Sequence, residues 1–248
     1  MEISKKLIKK LNLSISIVTH GHVGYVEKLL EDIQNFLDIE YEVFVVNNKP
    51  SIPIDFKFDN KVFHLINNKK PKGFGRNHNY SFLRSKYNYF LVLNPDTRIK
   101  KMSSRILIES LIESQAGVVS PIVLNPDLTI QKNARSFPSF LTPLYNYFSQ
   151  KDIVKYDNRS PFISVDWISG AVMLFKREVF KECNGFDEKY YMYYEDVDIC
   201  KRIKKLGFKV ILNTKTSAIH YGQRKSHKNL IHLFWHLKSH FRFALTKS

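Results

Sequence analysis

Residues 14–48 read SISIVTHGHVGYVEKLLEDIQNFLDIEYEVFVVNN, and this stretch decides the fold. Ser14–Thr19 has the β-branched composition of a strand, and Tyr41–Val46 is a second apolar strand candidate. Between them, apolar residues recur at helical spacing and predict a helix over Val23–Phe36. Strand, helix and strand in this order predict two parallel strands joined by a crossover helix.

The alternation continues toward the middle of the chain. Val62–Ile66 and Tyr89–Leu93 are two more apolar strands, and the basic loop Lys72–Asn79 leads into a helix between them. Ser103–Ser114 has helical spacing and begins with a serine that is able to cap it. Near-continuous apolar strands that alternate with helices predict an α/β fold with a mostly parallel central sheet and helices on both faces.

The second half of the chain shows a different pattern. An Asn-Pro-Asp turn at 125–127 interrupts strand-like runs, and Asn133–Pro161 is irregular and aromatic. Farther on, Lys209–Leu212 and Ala218–His220 are two separate extended pieces, and Asn229–Leu245 is an aromatic, basic helix. This amphipathic helix has two possible roles, packing on the preceding domain or contact with a membrane.

Composition limits the classes of function. The 248 residues carry 39 Lys and Arg against 23 Asp and Glu, a formal net charge of +16. This charge favours an anionic partner such as nucleic acid, an anionic membrane surface or a phosphate-bearing substrate. The two cysteines lack metal-ligand spacing and indicate a reducing compartment. The amino terminus is a poor signal peptide, and no run reaches the length of a membrane span, so we expect a cytoplasmic location.

An acidic cluster stands out in NGFDEKYYMYYEDVDIC, residues 184–200. Helical spacing places Glu195 and Asp198 on one face with Arg202 and turns Asp196 away from them. One carboxylate is therefore able to point into a cleft while its neighbours anchor the turn. The alternative is an ordinary acidic helix start that the helix dipole stabilises.

Other candidate residues follow strands or glycines. Asp96 ends an apolar strand in Asn-Pro-Asp-Thr, where a carboxylate is able to hold Mg²⁺ together with a substrate phosphate. The alternative is a plain turn, like the one at 125–127. The Gly73–Asn79 loop is able to bring backbone N–H groups to a phosphate, although it is neither a P-loop nor a dinucleotide fingerprint. Trp167, with the Ser-Gly pair that follows, is either a sugar-binding floor or core packing.

Taken in order, these pieces resemble the family 2 glycosyltransferases, and within them the rhamnosyltransferase-like branch. The matching pieces are the first strand and loop, Asn47-Asn48, GFGRNHN, LNPDT, WISGAVMLFKREVF, the acidic cluster and HYGQRKS. The resemblance covers about residues 13–226. It implies a GT-A fold over residues 1–226, followed by the C-terminal helix in 227–248. It also implies an inverting mechanism, a nucleotide-sugar donor and a Mg²⁺ or Mn²⁺ ion.

The resemblance also implies roles for particular residues. Asp96 stands where the metal carboxylate of the DxD motif lies, and His220 matches another residue of that metal site. Asp196 matches the catalytic base. The implied donor-binding residues are Thr19, His20, Asn47, Gly73, Arg76, Asn79, Asn94 and Asp96. The implied acceptor-binding residues are Trp167, Ser169, Gly170, Glu195 and Asp198.

The function implied is transfer of L-rhamnose from dTDP-rhamnose to a lipid-linked or growing saccharide of the bacterial surface, such as O-antigen or capsule. Contact with the inner face of the cytoplasmic membrane would fit such an acceptor. Asn47 replaces an aspartate that reads the donor base in many relatives, so a UDP-hexose donor stays open. A basic protein that binds nucleic acid or another polyanion is the second class, although no RNP-like or helix-turn-helix signature occurs.

Overall fold

A nine-stranded sheet forms the centre of the molecule. The computed structural model describes residues 11–49, 51–52, 54, 56, 58, 62–138, 160–222 and 230–246. Its strands are β1 (Asn12–Thr19), β2 (Glu40–Asn47), β3 (Phe63–Asn67), β4 (Tyr89–Leu93), β5 (Thr97–Arg98), β6 (Ala116–Leu124), β7 (Ala134–Arg135), β8 (Phe162–Ser164), β9 (Trp167–Ile168), β10 (Val172–Lys176) and β11 (Lys209–His220). β7 and β9 pair with each other in a separate small sheet, and the other strands form the central one.

The order of strands in the central sheet is β3-β2-β1-β4-β10-β6-β11-β5, and β8 pairs with β11. β3, β2, β1 and β4 are parallel, so their carboxyl ends meet at one edge. β10 lies antiparallel between β4 and β6. The predicted α/β sheet is confirmed, and the antiparallel β10 makes it a mixed sheet.

Helices cover both faces of the sheet, as predicted. In the described residues they are α1 (Val23–Phe36), α2 (Phe74–Phe82), α3 (Ser104–Glu113), α4 (Arg177–Glu182), α5 (Glu195–Lys205) and α6 (Leu230–Leu245). α1 and α3 bury residues such as Leu29 and Leu107 against one face. α2, α4 and α5 bury Phe82, Phe180 and Ile203 against the other. Cys183 and Cys200 are free and buried.

β11 corrects one prediction. The two extended pieces predicted at Lys209–Leu212 and Ala218–His220 belong to one strand, which has an irregularity between Asn213 and Ser217. The Asn213 side chain fills this irregularity, because its oxygen accepts from the backbone N–H of Lys215 at 2.8 Å. The prediction divided the strand because the residues at the irregularity are polar and interrupt the apolar pattern. Pairing with β6 nevertheless continues on both sides of it.

α6 packs on the segment that precedes α5. Its Ser239 hydroxyl donates to the carbonyl oxygen of Met192 at 2.9 Å, and His240 and Phe243 are buried as well. The predicted boundary at residues 226 and 227 and most of the irregular segment lie outside the described residues. None of the described helices combines the length and the apolar composition that crossing a membrane requires.

Candidate active site

A cavity of about 1180 Å³ opens at the carboxyl ends of β1 and β4. On its other side it is lined by the start of α5 and by α6. It brings together the predicted site residues His20, Asn94, Asp96, Ser169, Gly170, Glu195, Asp196 and His220. The strand-end candidates and the acidic cluster therefore belong to one site.

Asp96 and His220 meet in this cavity although they are far apart in the sequence. β5 follows Asp96 and pairs antiparallel with the end of β11, so His220 lies opposite Thr97. The backbone N–H of Tyr221 donates to the carbonyl oxygen of Asp96 at 3.0 Å. His220 Nε2 lies 3.2 Å from Asp96 Oδ1 and 3.3 Å from Asn94 Nδ2.

A buried ion pair fixes the chain just after Asp96. Arg98, in β5, donates to both carboxylate oxygens of Asp32 in α1, at 2.6 and 2.5 Å. Asp32 also accepts from the backbone N–H of Ile99 at 3.1 Å. A bidentate pair fixes orientation as well as distance. Asp96 is thus held between two anchored segments, β4 and β5.

The surroundings of Asp96 favour its charged form. Burial raises the pKa of this carboxyl, but the hydrogen bond and positive charge of His220 outweigh burial, so the pKa lies below its ordinary value. Oxygen from a carboxylate is the protein ligand that hard divalent cations prefer. The Asp96 carboxylate therefore carries the negative charge that a cation ligand needs.

The spacing of the pair also fits a divalent cation shared with a substrate. With octahedral bonds near 2.1 Å, neighbouring ligand atoms lie about 3.0 Å apart, and Asp96 Oδ1 and His220 Nε2 are 3.2 Å apart. Among the described residues, no group of three or more His, Cys, Asp and Glu side chains could hold a metal by itself. A cation here would take its other ligands from water and a substrate phosphate, as Mg²⁺ commonly does.

Gln131 orients the imidazole ring of His220. Its side-chain oxygen lies 2.9 Å from His220 Nδ1, while its nitrogen donates to Asn125 Oδ1 at 3.0 Å and to the carbonyl oxygen of His220 at 3.4 Å. Turning this amide over would place its oxygen against two acceptors. Nδ1 therefore keeps its proton, and Nε2 is the nitrogen that faces Asp96.

The Asn-Pro-Asp turn at 125–127 holds Gln131 in turn. The Thr129 hydroxyl donates to Asp127 Oδ1 at 2.6 Å and accepts from Asn125 Nδ2 at 2.9 Å. Asn125 Oδ1 is thereby left to accept from Gln131. A chain of hydrogen bonds thus connects the Asp127 carboxylate to His220 through Thr129, Asn125 and Gln131. The turn at 125–127 therefore supports the site, although its sequence is that of an ordinary turn.

Asp196 lies at the start of α5 with its carboxylate toward Gly170. Its Oδ2 accepts from the backbone N–H of Gly170 at 3.0 Å, and its Oδ1 from that of Val197 at 2.9 Å. A Cβ atom at position 170 would lie 3.1 Å from Phe74 Cζ, which explains glycine at this close approach. Burial raises the pKa of Asp196 and outweighs the two N–H groups, which lower it. A carboxylate of this kind is suited to accept a proton.

Glu195 is buried beside Asp196 and lacks a partner for one oxygen. It is 7% exposed, and its Oε2 has no hydrogen-bond partner among the described residues. Burial, and then the charge of Asp196, raise the pKa of Glu195 well above its ordinary value. Asp198 differs, because its Oδ2 lies 2.7 Å from Arg202 Nη2, the pairing that the helical spacing predicted.

Two strained residues lead the chain into α5. Tyr193 and Tyr194 both have a φ of 69°, in the left-handed region, which costs about 1–2 kcal/mol for each non-glycine residue. Tyr193 Oη is hydrogen-bonded to His232 Nδ1 and Tyr194 Oη to His240 Nδ1, each at 2.9 Å. Both histidines belong to α6, so α6 holds the turn that begins α5.

Several predicted site residues lie outside the lining of the cavity, and most of them hold neighbouring segments together. Asn47 is 1% exposed and donates to Ile52 and Asn67. The side chain of Asn79 is bonded to both backbone groups of Phe186. The complete set is Thr19, Asn47, Gly73, Arg76, Asn79, Trp167 and Asp198. Their roles in binding a substrate stay predictions.

Three more of these residues have contacts of their own. Thr19 is fully buried at the end of β1. Arg76 Nε lies 3.4 Å from a carboxylate oxygen of Glu188 in an exposed ion pair. The Trp167 indole N–H donates to the carbonyl oxygen of Ser136 at 2.9 Å, which ties β9 to the chain after β7.

Sequence reasoning missed a set of asparagines at the carboxyl ends of β2 and β3. Asn48 Nδ2 lies 2.8 Å from His20 Nε2, and Asn48 Oδ1 accepts from the side chain of Asn68 and the backbone of Lys72. Asn68 also donates to Asn77 in α2 at 2.7 Å. The available signal was position, because Asn48 and Asn68 each come directly after a strand.

Comparison with known proteins assigns the family. The model of the family described as Glycosyl transferase family 2 matches residues 14–183, more than half of the chain. The chain belongs to glycosyl transferase family 2. A second model, described as the N-terminal domain of galactosyltransferase, matches residues 154–228 of this glycosyltransferase. The family resemblance seen in the motifs is therefore confirmed.

Curated relatives narrow the comparison. The glycosyltransferase is 31% identical to the rhamnosyltransferase WbbL of Escherichia coli over 246 residues, covering 94% of this chain and 92% of that protein. It is 28% identical over 166 residues to N-acetylglucosaminyl-diphospho-decaprenol L-rhamnosyltransferase of Mycobacterium tuberculosis. That second match covers 62% of this chain and 54% of the relative.

Solved structures agree on the fold. The mannosyltransferase PcManGT of Pyrobaculum calidifontis, in complex with GDP-Man and Mn²⁺, superposes with a TM-score of 0.64 at 15% identity. That match covers all of this glycosyltransferase and 71% of the other chain. GalNAc-T7 with UDP, GalNAc and Mn²⁺ gives 0.63 at 12% identity, covering 86% of this chain and 44% of the other. The GT-A fold predicted from the sequence is confirmed.

The orientation of His220 can be tested without any ligand. In metal-free protein, at a pH where the imidazole is neutral, ¹⁵N NMR should show the proton of His220 on Nδ1. Gln131→Leu removes the acceptor, so the proton should move largely to Nε2, whereas Gln131→Glu keeps an acceptor and should keep the proton on Nδ1. An Nε2–H ring in the unmodified protein would contradict the assigned geometry.

Proposed function

We propose that this family 2 glycosyltransferase transfers L-rhamnose from dTDP-rhamnose to a saccharide carried on a lipid diphosphate, with inversion at the transferred carbon. The observation that carries the proposal is a single cavity that contains both the Asp96–His220 pair and the carboxylate of Asp196. The names of the E. coli and M. tuberculosis relatives support rhamnose as the sugar. The M. tuberculosis name supports a saccharide on a lipid diphosphate as the acceptor.

On the donor side, Asp96 and His220 would hold Mg²⁺ or Mn²⁺ together with the donor diphosphate. A divalent ion there supplies Lewis-acid stabilisation of the leaving diphosphate and a template for the donor. The chain's own residues prepare this site. The Arg98–Asp32 ion pair fixes the loop of Asp96, and Gln131 keeps Nε2 of His220 directed at Asp96. The Mn²⁺ in the two solved neighbours supports a divalent ion here.

On the acceptor side, Asp196 acts as the general base. As the acceptor oxygen attacks the anomeric carbon, its proton passes to the Asp196 carboxylate and the bond from that carbon to the diphosphate oxygen breaks. An inverting transfer forms no covalent enzyme intermediate, so one base is sufficient. Asp198 is in an ion pair with Arg202, Asp96 serves the donor side, and burial favours the protonated form of Glu195, so we assign this role to Asp196.

Other cavity residues would bind the acceptor. Glu195 lines the cavity beside Asp196, and burial favours its protonated form, whose hydroxyl is able to donate a hydrogen bond. Ser169 and Gly170 line the cavity beside Asp196. Lys132 and Arg135 line it too and bring positive charge for a diphosphate.

The nucleotide of the donor is the least determined part of the proposal. Asn47, the position that reads the base in many relatives, is bonded to its own loop. A UDP-hexose donor is therefore the second candidate. Release of nucleoside diphosphate from dTDP, UDP and GDP sugars, compared side by side, separates these donors, and salt-sensitive DNA binding without such release would favour a polyanion-binding protein.

The outer face of α6 supports contact with a membrane that carries the acceptor. Exposed apolar residues follow one another at helical spacing on this face, and we call them the apolar stripe. They are Leu230, Ile231, Leu233, Phe234, Leu237, Phe241 and Leu245. The helix contains no acidic residue; Lys238 lies on it, while Arg242 is in an ion pair with Asp187. An anionic lipid surface on the cytoplasmic side suits both the stripe and the charge of Lys238.

Replacing Asp96 tests the donor side. Asp96→Ala should weaken Mn²⁺-dependent binding of dTDP more than about 100-fold, because even residues that only orient a metal ligand change affinity about 10- to 100-fold. Calorimetric titration with and without Mn²⁺ measures this. Asp38→Ala, an exposed acid at the end of α1, is the matched control and should bind normally. Unchanged Mn²⁺-dependent affinity in Asp96→Ala would remove Asp96 from the site.

Replacing Asp196 tests the base. Asp196→Asn keeps the shape that accepts from Gly170 but loses the base, so the transfer rate should fall about 10²–10⁴-fold with donor binding nearly unchanged. Because burial raises the pKa of Asp196, the rate should also fall, as pH decreases, at a pH above the ordinary value of about 4. An active Asp196→Asn beside an inactive Glu195→Gln or Asp198→Asn would mean that another carboxylate is the base.

Vesicle flotation tests the apolar stripe. The protein should float with vesicles that contain phosphatidylglycerol at low salt and dissociate at high salt, since surface charge is screened. The double change Phe234→Ser and Leu237→Ser should abolish flotation, while Leu83→Ser, an exposed leucine at the end of α2, should not. No flotation of the unmodified protein at low salt would leave α6 with a packing role alone.

A further inference from the structure

One side of α6, different from the side that carries the apolar stripe, lines the cavity. His232 and Trp235 both line the cavity. Trp235 is half-buried. The sequence pattern pointed to the apolar residues of this helix and gave no role to its only tryptophan.

Trp235 is part of a rigid aromatic corner. Its ring packs against Tyr191, with centroids 4.8 Å apart, and against His232 at 4.9 Å. The backbone of Tyr191 is fixed, because its carbonyl oxygen accepts from the N–H of Phe74 at 3.0 Å. A Cβ atom at Gly73 would lie 2.7 Å from that same oxygen, so glycine is required for this contact. The corner is therefore formed before any ligand arrives.

The corner lies on the side of the general base. Tyr191 belongs to the short segment that continues through the two left-handed tyrosines into Glu195 and Asp196. The Asp96–His220 pair, in contrast, lies where β4 and β11 end. A ligand that contacts Trp235 thus lies beside the segment that leads to Asp196.

We propose that Trp235, packed on Tyr191, is a binding subsite for a pyranose ring of the acceptor, a saccharide linked through diphosphate to a lipid; this inference rests on the proposed function. The negative face of an aromatic ring attracts the C–H groups on the apolar face of a pyranose. The indole N–H is able to donate to a ring hydroxyl at the same time.

Two further features of the cavity fit the rest of such an acceptor. Lys132 and Arg135 line the cavity and match the negative diphosphate. The apolar stripe, which lies on the same helix as Trp235, matches the lipid chain beyond the sugar. In this arrangement α6 would contact both the sugar and the lipid, and Lys132 and Arg135 would contact the diphosphate that joins them.

Direct binding tests the subsite independently of the donor sugar. The probe is N-acetylglucosaminyl diphosphate with a short alkyl chain, titrated calorimetrically into full-length protein in the presence of dTDP and Mn²⁺. Trp235→Ala should weaken binding about tenfold, a change of roughly 1.4 kcal/mol, and Trp235→Phe should stay within about threefold of the unmodified protein. Phe36→Ala, an exposed aromatic residue at the end of α1, should have no effect.

Kinetics separate the failure of this inference from failure of the proposed function. In transfer assays Trp235→Ala should raise the KM for the acceptor and leave the KM for the donor unchanged. An unchanged acceptor affinity in Trp235→Ala, or a raised donor KM in its place, would overturn the subsite, and the latter would assign the corner to the nucleobase. Binding of the probe that depends on Trp235, without transfer from any rhamnose donor, would uphold the subsite and reject rhamnose transfer.

Discussion

The left-handed pair Tyr193–Tyr194 is the constraint on which the acidic side of the cavity depends. Two adjacent non-glycine residues in this conformation are costly, and they persist only where surrounding contacts determine them. Those contacts come from α6, through the bonds of its histidines to both tyrosine hydroxyls. A helix that reads as an appendage in the sequence is therefore needed for the turn that presents Glu195 and Asp196.

The part of the cavity that contains Asp96 depends on a different constraint, the antiparallel pairing of β5 with the end of β11. This short pairing brings His220 to Asp96, and the Arg98–Asp32 ion pair ties the same strand to α1. The irregularity at Asn213 lets β11 remain paired with β6 over its length while its end reaches β5. The two halves of the cavity are thus set by separate long-range contacts, and they meet at the edge where the parallel strands end.

Local patterns determined the elements, and long-range pairing determined the site. The bounds of α1 and of β4 agree with the sequence predictions, because apolar spacing and β-branched runs are local signals. The antiparallel placement of β10 has no local signal, since a short apolar run is compatible with either strand direction. Gln131 orients His220 because the turn after β6 lies against the end of β11. The spacing of residue types along the sequence does not indicate this long-range contact.

The two aspartates of the cavity, for which we propose two different roles, lie in different electrostatic environments. Burial raises the pKa of both. At Asp96 the hydrogen bond and the charge of protonated His220 outweigh burial, so the carboxyl group loses its proton more readily. At Asp196 the two backbone N–H groups are weaker than burial, so the carboxylate binds a proton more readily, as a base should. The two environments thus shift the pKa values of the two carboxyl groups in opposite directions. This difference is a physical reason to propose one as the metal ligand and the other as the base, and it does not depend on the family resemblance.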